Sequence, residues 1–283
     1  MVKKRLNVLV AMALMVAVVL LLTAAGCGSG NAAGADLSGS LSLSGSTTVL
    51  PIAQEAADSF MEKYPNTNVN VQGGGSSVGI SNAAEGIVDI GDSSRELKDD
   101  EKDKGLVDHQ IAYDVIVVIA NKNTAVDDLS AQQVKGIFTG AIQNWKDVGG
   151  ADAPITVVVR DSASGTREMF DEKALQKEKP VGGAIETNSN GIMRQTVSST
   201  PNAIGYISLG YLDASVKSLK YGGVEGNQSN ALTQSYPLAR YLHMFTKGEP
   251  AALAKAFIDY VLSADFQNQV VAKEYIPMTE IKS

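Results

Sequence analysis

The sequence predicts an α/β protein with parallel-type sheets, arranged as two lobes. Short apolar strands alternate with amphipathic helices along the chain, with no internal repeat and no heptad pattern. Three loops rich in Gly, Ser and Thr, at residues 45 to 48, 73 to 77 and 160 to 166, each follow a strand-like run and precede a helical one. The 283 residues, even without an N-terminal export signal, suffice for two lobes of ordinary domain size.

In chain order the export signal comes first. Lys3, Lys4 and Arg5 precede an apolar run over residues 8 to 22, which Thr23-Ala24-Ala25-Gly26-Cys27 closes. The small residues before the cysteine resemble the bacterial lipobox, with Ala24 where leucine is usual. Residues 1 to 26 are therefore expected to be a lipoprotein signal peptide, and Cys27 its lipidated, palmitate-bearing residue. The run is somewhat short for an uncleaved membrane span. Cys27 is the only cysteine, so it forms no internal disulfide. Residues 27 to 39 are rich in Gly, Ala and Ser and read as a flexible tether, with a mean reach of roughly 20 Å. The expected location is the outer face of the cytoplasmic membrane.

Loss of Lys3, Lys4 and Arg5 makes the exported chain three charges more negative than the −7 of the whole sequence. That argues against a nucleic-acid surface, so any anion site must be local. Two distant histidines, one lipidated cysteine and no clustered carboxylates give no recognisable metal-ligand spacing, and no cofactor is expected.

Leu41 and Leu43 alternate with serines as a strand does, and Gly45-Ser46-Thr47-Thr48 leads into a helix. Ile52, Ala56, Phe60 and Tyr64, with Ala53, Ala57 and Met61, form one face of it. A second strand carries Val69 and Val71 into the glycine run at residues 73 to 75, followed by Ser76 and Ser77 before the next helix. Asp89 and Ile90 open a third strand, after which Ser94 and Arg95 sit in a fourth loop. The charged run over residues 98 to 104 reads as a solvated face. Residues 111 to 120 read as a buried strand, with the crossover between lobes at or just after it. Ser130 and Gln133 have the spacing of a capping box for a helix burying Val134, Ile137 and Phe138, and Trp145 reads as a loop's packing anchor. The β-branched run at residues 155 to 159 precedes Arg160, and Met169, Phe170 and Ala174 recur at helical spacing beyond the loop. Residues 203 to 209 give another strand. Residues 236 to 245 return the chain to the first lobe, and Pro250 opens a helix burying Leu253, Phe257, Val261, Ala254, Ile258 and Leu262. The expected division is residues 40 to 120 and 236 to 283 for one lobe and 121 to 235 for the other.

The loop Arg160-Asp161-Ser162-Ala163-Ser164-Gly165-Thr166-Arg167 reads as an anion clamp. At a strand end before a helix start, unpaired N–H groups and the positive end of the helix dipole face the loop. Ser164, Thr166 and the Gly165 N–H add donors, and Arg160 adds a permanent, forked positive charge. None of the three loops is a Walker or dinucleotide loop, so a small oxyanion fits better than a nucleotide.

The segments at residues 45 to 49, 73 to 80, 89 to 98, 137 to 150, 160 to 170 and 203 to 211, in this order, resemble the phosphate-binding lipoproteins of bacterial phosphate ABC transporters. The likeness covers nearly the whole exported chain. It implies a type II periplasmic-binding fold whose two α/β lobes, joined by a hinge, close over one phosphate and deliver it to permease and ATPase subunits. It implies a monomer that is not an enzyme. Carried over by position, it implies ligand contacts at Thr47 and Thr48, with Ser46 beside them, at Ser76, and at Arg160, Ser164, Gly165 and Thr166. Arg95 is a further candidate from its place in the fourth loop. One departure stands out. Family members have an aspartate where this chain has Ser94, and that carboxylate accepts the proton of hydrogen phosphate and repels sulfate. Asp92 or Asp161, balanced by Arg95, could supply the missing acceptor. Sulfate, molybdate and tungstate remain alternative ligands. Gly75-Ser76-Ser77-Val78-Gly79 also fits a hydrolase nucleophile motif, with Ser77 and a base from His109 or His243.

Overall fold

A computed structural model of the protein describes residues 37–281. The signal peptide, Cys27 and most of the tether lie outside the described residues. Residues Ser38–Ser283 form one compact unit, and among the described residues no helix is long and apolar enough to cross a membrane.

The first third of the unit repeats strand, loop and helix. Strand β1 (Gly39–Gly45) leads to helix α1 (Leu50–Lys63), β2 (Thr67–Gly73) to α2 (Ser76–Glu85), and β3 (Ile90–Ser93) into the loop carrying Ser94. Pro51 sits in the first turn of α1, where its missing N–H costs nothing. The helix buries Ile52, Ala53, Ala56, Ala57 and Phe60, and only the last turn departs from expectation, with Met61 and Tyr64 half-exposed. Strand β4 (Leu106–Asn121) is 16 residues long. Beyond it come β5 (Asp128–Leu129), α3 (Ala131–Thr139), β6 (Thr156–Arg160), α4 (Gly165–Lys173), β7 (Ile185–Thr187), α5 (Asn190–Ser199), β8 (Ala203–Ser208), β9 (Val216–Ser218), β10 (Lys220–Tyr221) and α6 (Gln228–Leu232). The chain closes with β11 (Ala239–Lys247), α7 (Ala252–Val261) and β12 (Ile276–Pro277).

The main sheet runs β2-β1-β3-β11-β4-β8-β6-β7, with β9 and β12 also on β4. The expected parallel pairing holds at β1 with β2 and β3, and at β6 with β7 and β8. The centre differs. β11 runs antiparallel to both β3 and β4, and β4 antiparallel to β8. Apolar runs carry no direction, and a strand buried on both faces reads the same either way. β4 itself serves both halves: residues 106 to 115 pair with β11, and residues 116 to 120 with β8. A hydrophobic cluster gathers buried residues from Val115 to Ala239, with Ile276.

Other expectations meet local tests. The Ser130 and Gln133 capping box forms in both directions. Trp145 is buried and donates its indole N–H to the Asn202 carbonyl at 3.0 Å. In α7, Ala254, Phe257, Ile258 and Val261 are buried, whereas Leu262 is exposed because it caps the helix instead of continuing its inner face. The charged run after Lys98 is not wholly solvated: Glu101 turns inward to Arg95.

Phe170 is the packing residue behind the Arg160 loop. Its ring stacks on Tyr206 at 4.0 Å and 11° and meets Phe138 edge-on at 4.8 Å. The Tyr206 hydroxyl in turn accepts the Arg160 N–H at 3.1 Å. Phe170→Ala is expected to cost about 3 to 5 kcal/mol of unfolding free energy, read as a lower midpoint in urea titration with an unchanged slope.

Candidate functional site

The loops at the carboxyl ends of β1, β2, β3, β6 and β8 meet at one place, as ligand sites in open α/β sheets do. Thr47 and Thr48 come from the loop before α1, Ser76 from the start of α2, and Ser94 from just beyond β3. Arg160 ends β6, Ser164 caps α4, and Gly165 and Thr166 form its first turn. All these side chains are buried: Ser46, Thr47, Thr48, Ser76, Ser94, Arg160, Ser164 and Thr166 are each under 8% exposed.

Hydrogen bonds lock the two groups of loops together. Thr48 Oγ1 lies 3.2 Å from Thr166 Oγ1. Arg160 Nη2 donates to Thr47 Oγ1 at 3.3 Å and to the Asn188 carbonyl at 3.2 Å. The Ser77 N–H donates to the Ala163 carbonyl at 3.1 Å. Ser76 Oγ lies 3.2 Å from Ser94 Oγ and accepts the Ser94 N–H at 3.0 Å. At Gly165 the loops approach closely. A Cβ there would fall against Ser76 Oγ and within 2.9 Å of Ser94 Oγ. Ser46 plays a different part from the others: its Oγ accepts the Thr48 N–H at 3.1 Å, which fixes the turn.

The Arg160 guanidinium is 1% exposed, yet its Nε and Nη1 have no hydrogen-bond partner among the protein groups. Burial, and more weakly Arg240, pull its pKa below the usual value, while Tyr206, Asp161 and Tyr211 favour the charged form. An arginine nevertheless stays protonated. The result is a buried cation with two N–H groups to give, surrounded by hydroxyls and the first-turn N–H groups of α4, which have no acceptor within the helix. Such a set of donors suits a small, highly charged oxyanion.

Five residues join this cluster that the sequence did not single out. Asn190, at the start of α5, donates from Nδ2 to Thr47 Oγ1 at 3.3 Å and to Thr48 Oγ1 at 3.0 Å, while its Oδ1 accepts the Ser208 N–H. Tyr211 donates its hydroxyl to the Thr47 carbonyl at 2.6 Å. Burial pushes that phenol up to about 12, so it remains a donor. Arg240 on β11 and Asp114 on β4 form an ion pair at 3.0 Å, and Ser208 donates to the same carboxylate at 2.6 Å. The available signal was an ionisable residue inside an apolar strand, which must be partnered when buried.

Arg95 is the exception among the expected contacts. It is buried, but Nη1 and Nη2 hold Glu101 at 2.6 and 2.9 Å, and Nε faces Glu168 at 3.1 Å. Two carboxylates thus turn its fork away from the donor cluster. Arg95 also does not balance Asp92. Asp92 is 1% exposed, its Oδ1 has no partner, and burial alone holds its carboxyl well above the usual range. The hydrolase reading loses its geometry. Ser77 Oγ accepts from Arg95 Nη2 at 3.1 Å, and His243 is a buried histidine whose Nδ1 meets Asp108 at 2.8 Å. His109 Nε2 meets Thr246 Oγ1 at 3.1 Å.

Residues 30–265 match the family model of the PBP superfamily domain. The phosphate-binding protein PstS of Bacillus subtilis (strain 168) is 43% identical over 249 residues, covering 87% of this chain and 83% of that protein. This chain belongs to the PstS family. The family member from Pseudomonas aeruginosa (strain PAO1) is 32% identical over 271 residues, covering 86% of this chain and 84% of its own. Among solved structures, a Clostridium perfringens protein with bound phosphate, described as a phosphate ABC transporter substrate-binding protein, superposes with a TM-score of 0.82. It is 41% identical and covers 85% of this chain and 100% of its own. An ABC-type phosphate transport receptor of Vibrio cholerae superposes with a TM-score of 0.70 at 33% identity, covering 83% and 99%. The expected periplasmic-binding fold of the PstS type is therefore the fold of this chain, and the relatives it matches are named as binding proteins.

Proposed function

We propose that this chain captures inorganic phosphate outside the cytoplasmic membrane and hands it to the permease and ATPase subunits of an ABC importer. The observation that carries the reading is the buried Arg160 guanidinium, with two unpartnered N–H groups among hydroxyls from both sets of loops. Residues 40 to 120 with 236 to 283 form one lobe and residues 121 to 235 the other, a division supported by the change of partner along β4 from β11 to β8. The first lobe offers Ser46, Thr47, Thr48, Ser76 and Ser94; the second offers Arg160, Ser164, Gly165 and Thr166. A phosphate that touches both sets favours the closed arrangement over an open one, and closure is what the permease reads. Lipid on Cys27 holds the monomer at the membrane face, with the tether as its leash.

A dianion leaves water at a high cost unless nearly every oxygen receives donors. Here hydroxyls and N–H groups supply them, and Ser94 supplies the neutral acceptor for the phosphate proton. A hydroxyl can also turn and donate, so sulfate is rejected less strongly than by a carboxylate. Calorimetric titration of the exported chain, stripped of ligand, with phosphate, sulfate and molybdate tests this. Phosphate is expected to bind tightly, and sulfate in large excess to displace it only partly. Sulfate or molybdate binding as well as phosphate would reassign the transported anion.

A further inference from the structure

We propose that Arg240 is a second guanidinium of the anion site, brought in by the return strand β11 to act opposite Arg160. The inference rests on the phosphate reading above. Arg240 is 4% exposed, and its Nη2 donates to Thr166 Oγ1 at 2.9 Å and to Thr48 Oγ1 at 3.2 Å. It therefore touches one hydroxyl from each group of loops. Its Nη1 has no partner among the protein groups. From Arg160 a continuous chain of contacts runs through Thr47 and Asn190 to Thr48 and Arg240. The two guanidiniums bracket the Thr47-Thr48 pair.

The competing explanation is that Arg240 merely neutralises Asp114. That carboxylate is saturated: its Oδ2 takes Arg240 Nε at 3.2 Å and Nη2 at 3.0 Å, and its Oδ1 takes the Ser208 hydroxyl. A buried ion pair with a purely structural role satisfies its remaining donors with fixed acceptors. Arg240 instead spends its remaining contacts on two hydroxyls of the anion site and keeps Nη1 free. Hydroxyls that accept from an arginine turn their own protons outward, toward an incoming oxyanion. Asp114 pairs with Arg240, while Arg160 has no carboxylate within 4.0 Å among the described residues, so the positive charge of the cluster is left for an anion to neutralise. With Ser94 neutral, Arg240 supplies attraction that does not depend on the phosphate proton.

Arg240→Gln alone would leave Asp114 buried and unpaired, so the deciding variant is Arg240→Gln with Asp114→Asn, which removes both charges together. Phosphate calorimetry on this double variant is expected to show roughly 10- to 100-fold weaker binding, the loss of one charge-assisted donor. Its melting temperature without phosphate should stay near that of the wild type. Arg240→Lys, which keeps a charge opposite Asp114 but loses the fork, is expected to bind roughly tenfold more weakly. Wild-type affinity in both variants would overturn the inference and leave the phosphate reading intact. A wild type that binds no phosphate would overturn both.

Discussion

Arg160→Gln is expected to weaken phosphate binding by roughly 100-fold or more, while the melting temperature without phosphate stays level or rises. The two halves of this result come from one feature. Arg160 is buried to 1% exposure, with Nε and Nη1 unpartnered. Among the described residues its guanidinium forms no ion pair with a carboxylate within 4.0 Å, whereas Arg95 and Arg240 each do. A desolvated cation without a counter-charge burdens the fold and repays that cost only when an anion arrives. Glutamine removes the charge, so the fold gains or stays level. Each lost charge-assisted bond takes about 1.5 to 3 kcal/mol from binding. Calorimetry and thermal melts on the same preparation read both halves. A variant that melts lower and binds phosphate as the wild type does would make Arg160 a structural residue.

The parts of the site legible in the sequence are those encoded locally. Thr47, Thr48, Ser76, Ser164 and Thr166 each lie between an apolar alternating run and a helical one, and that junction alone predicts exposed donors at a strand end. Arg160 was legible for the same reason, since it follows Val157, Val158 and Val159 directly. Arg240 and Asp114 were not. They lie inside apolar strands whose pairing brings Arg240 opposite Asp114 in the β4–β11 register, a relation between residues more than a hundred positions apart. Local patterning says only that each needs a partner.

Arg95 shows the converse failure. The sequence suggested that it balances Asp92 or Asp161, but the carboxylates that hold it are Glu101, across a short turn, and Glu168, on α4. Lys98 joins the same Glu168 at 2.9 Å. These contacts reach from the first set of loops to the second, outside the donor cluster. They are partly exposed on the Glu168 side, so they add little stability and are screened by salt. The central antiparallel strands were illegible too, because direction is fixed by connections and not by hydropathy.

Gly79→Ala is expected to be strongly destabilising, costing about 3 kcal/mol or more and weakening phosphate binding with it. Gly79 lies on the face of α2 that meets β1 and β3. A Cβ there would stand 2.5 Å from the Asp92 carbonyl oxygen, 2.7 Å from that of Ser44 and 2.9 Å from the Gly45 Cα. All three are backbone atoms of paired strands, so none can swing aside as a side chain would. Relief requires α2 to lift from the sheet. Ser76 and Ser77 open that helix, and with it they would draw away from Ser94 and from the Ala163 carbonyl. Ser81→Ala, on the same helix but half-exposed, removes only a hydrogen bond to Glu85 and serves as the control. Urea titrations of both variants, paired with phosphate calorimetry, check the coupling. A Gly79→Ala protein as stable as the Ser81→Ala protein would mean that α2 is not held against the strands by that close approach.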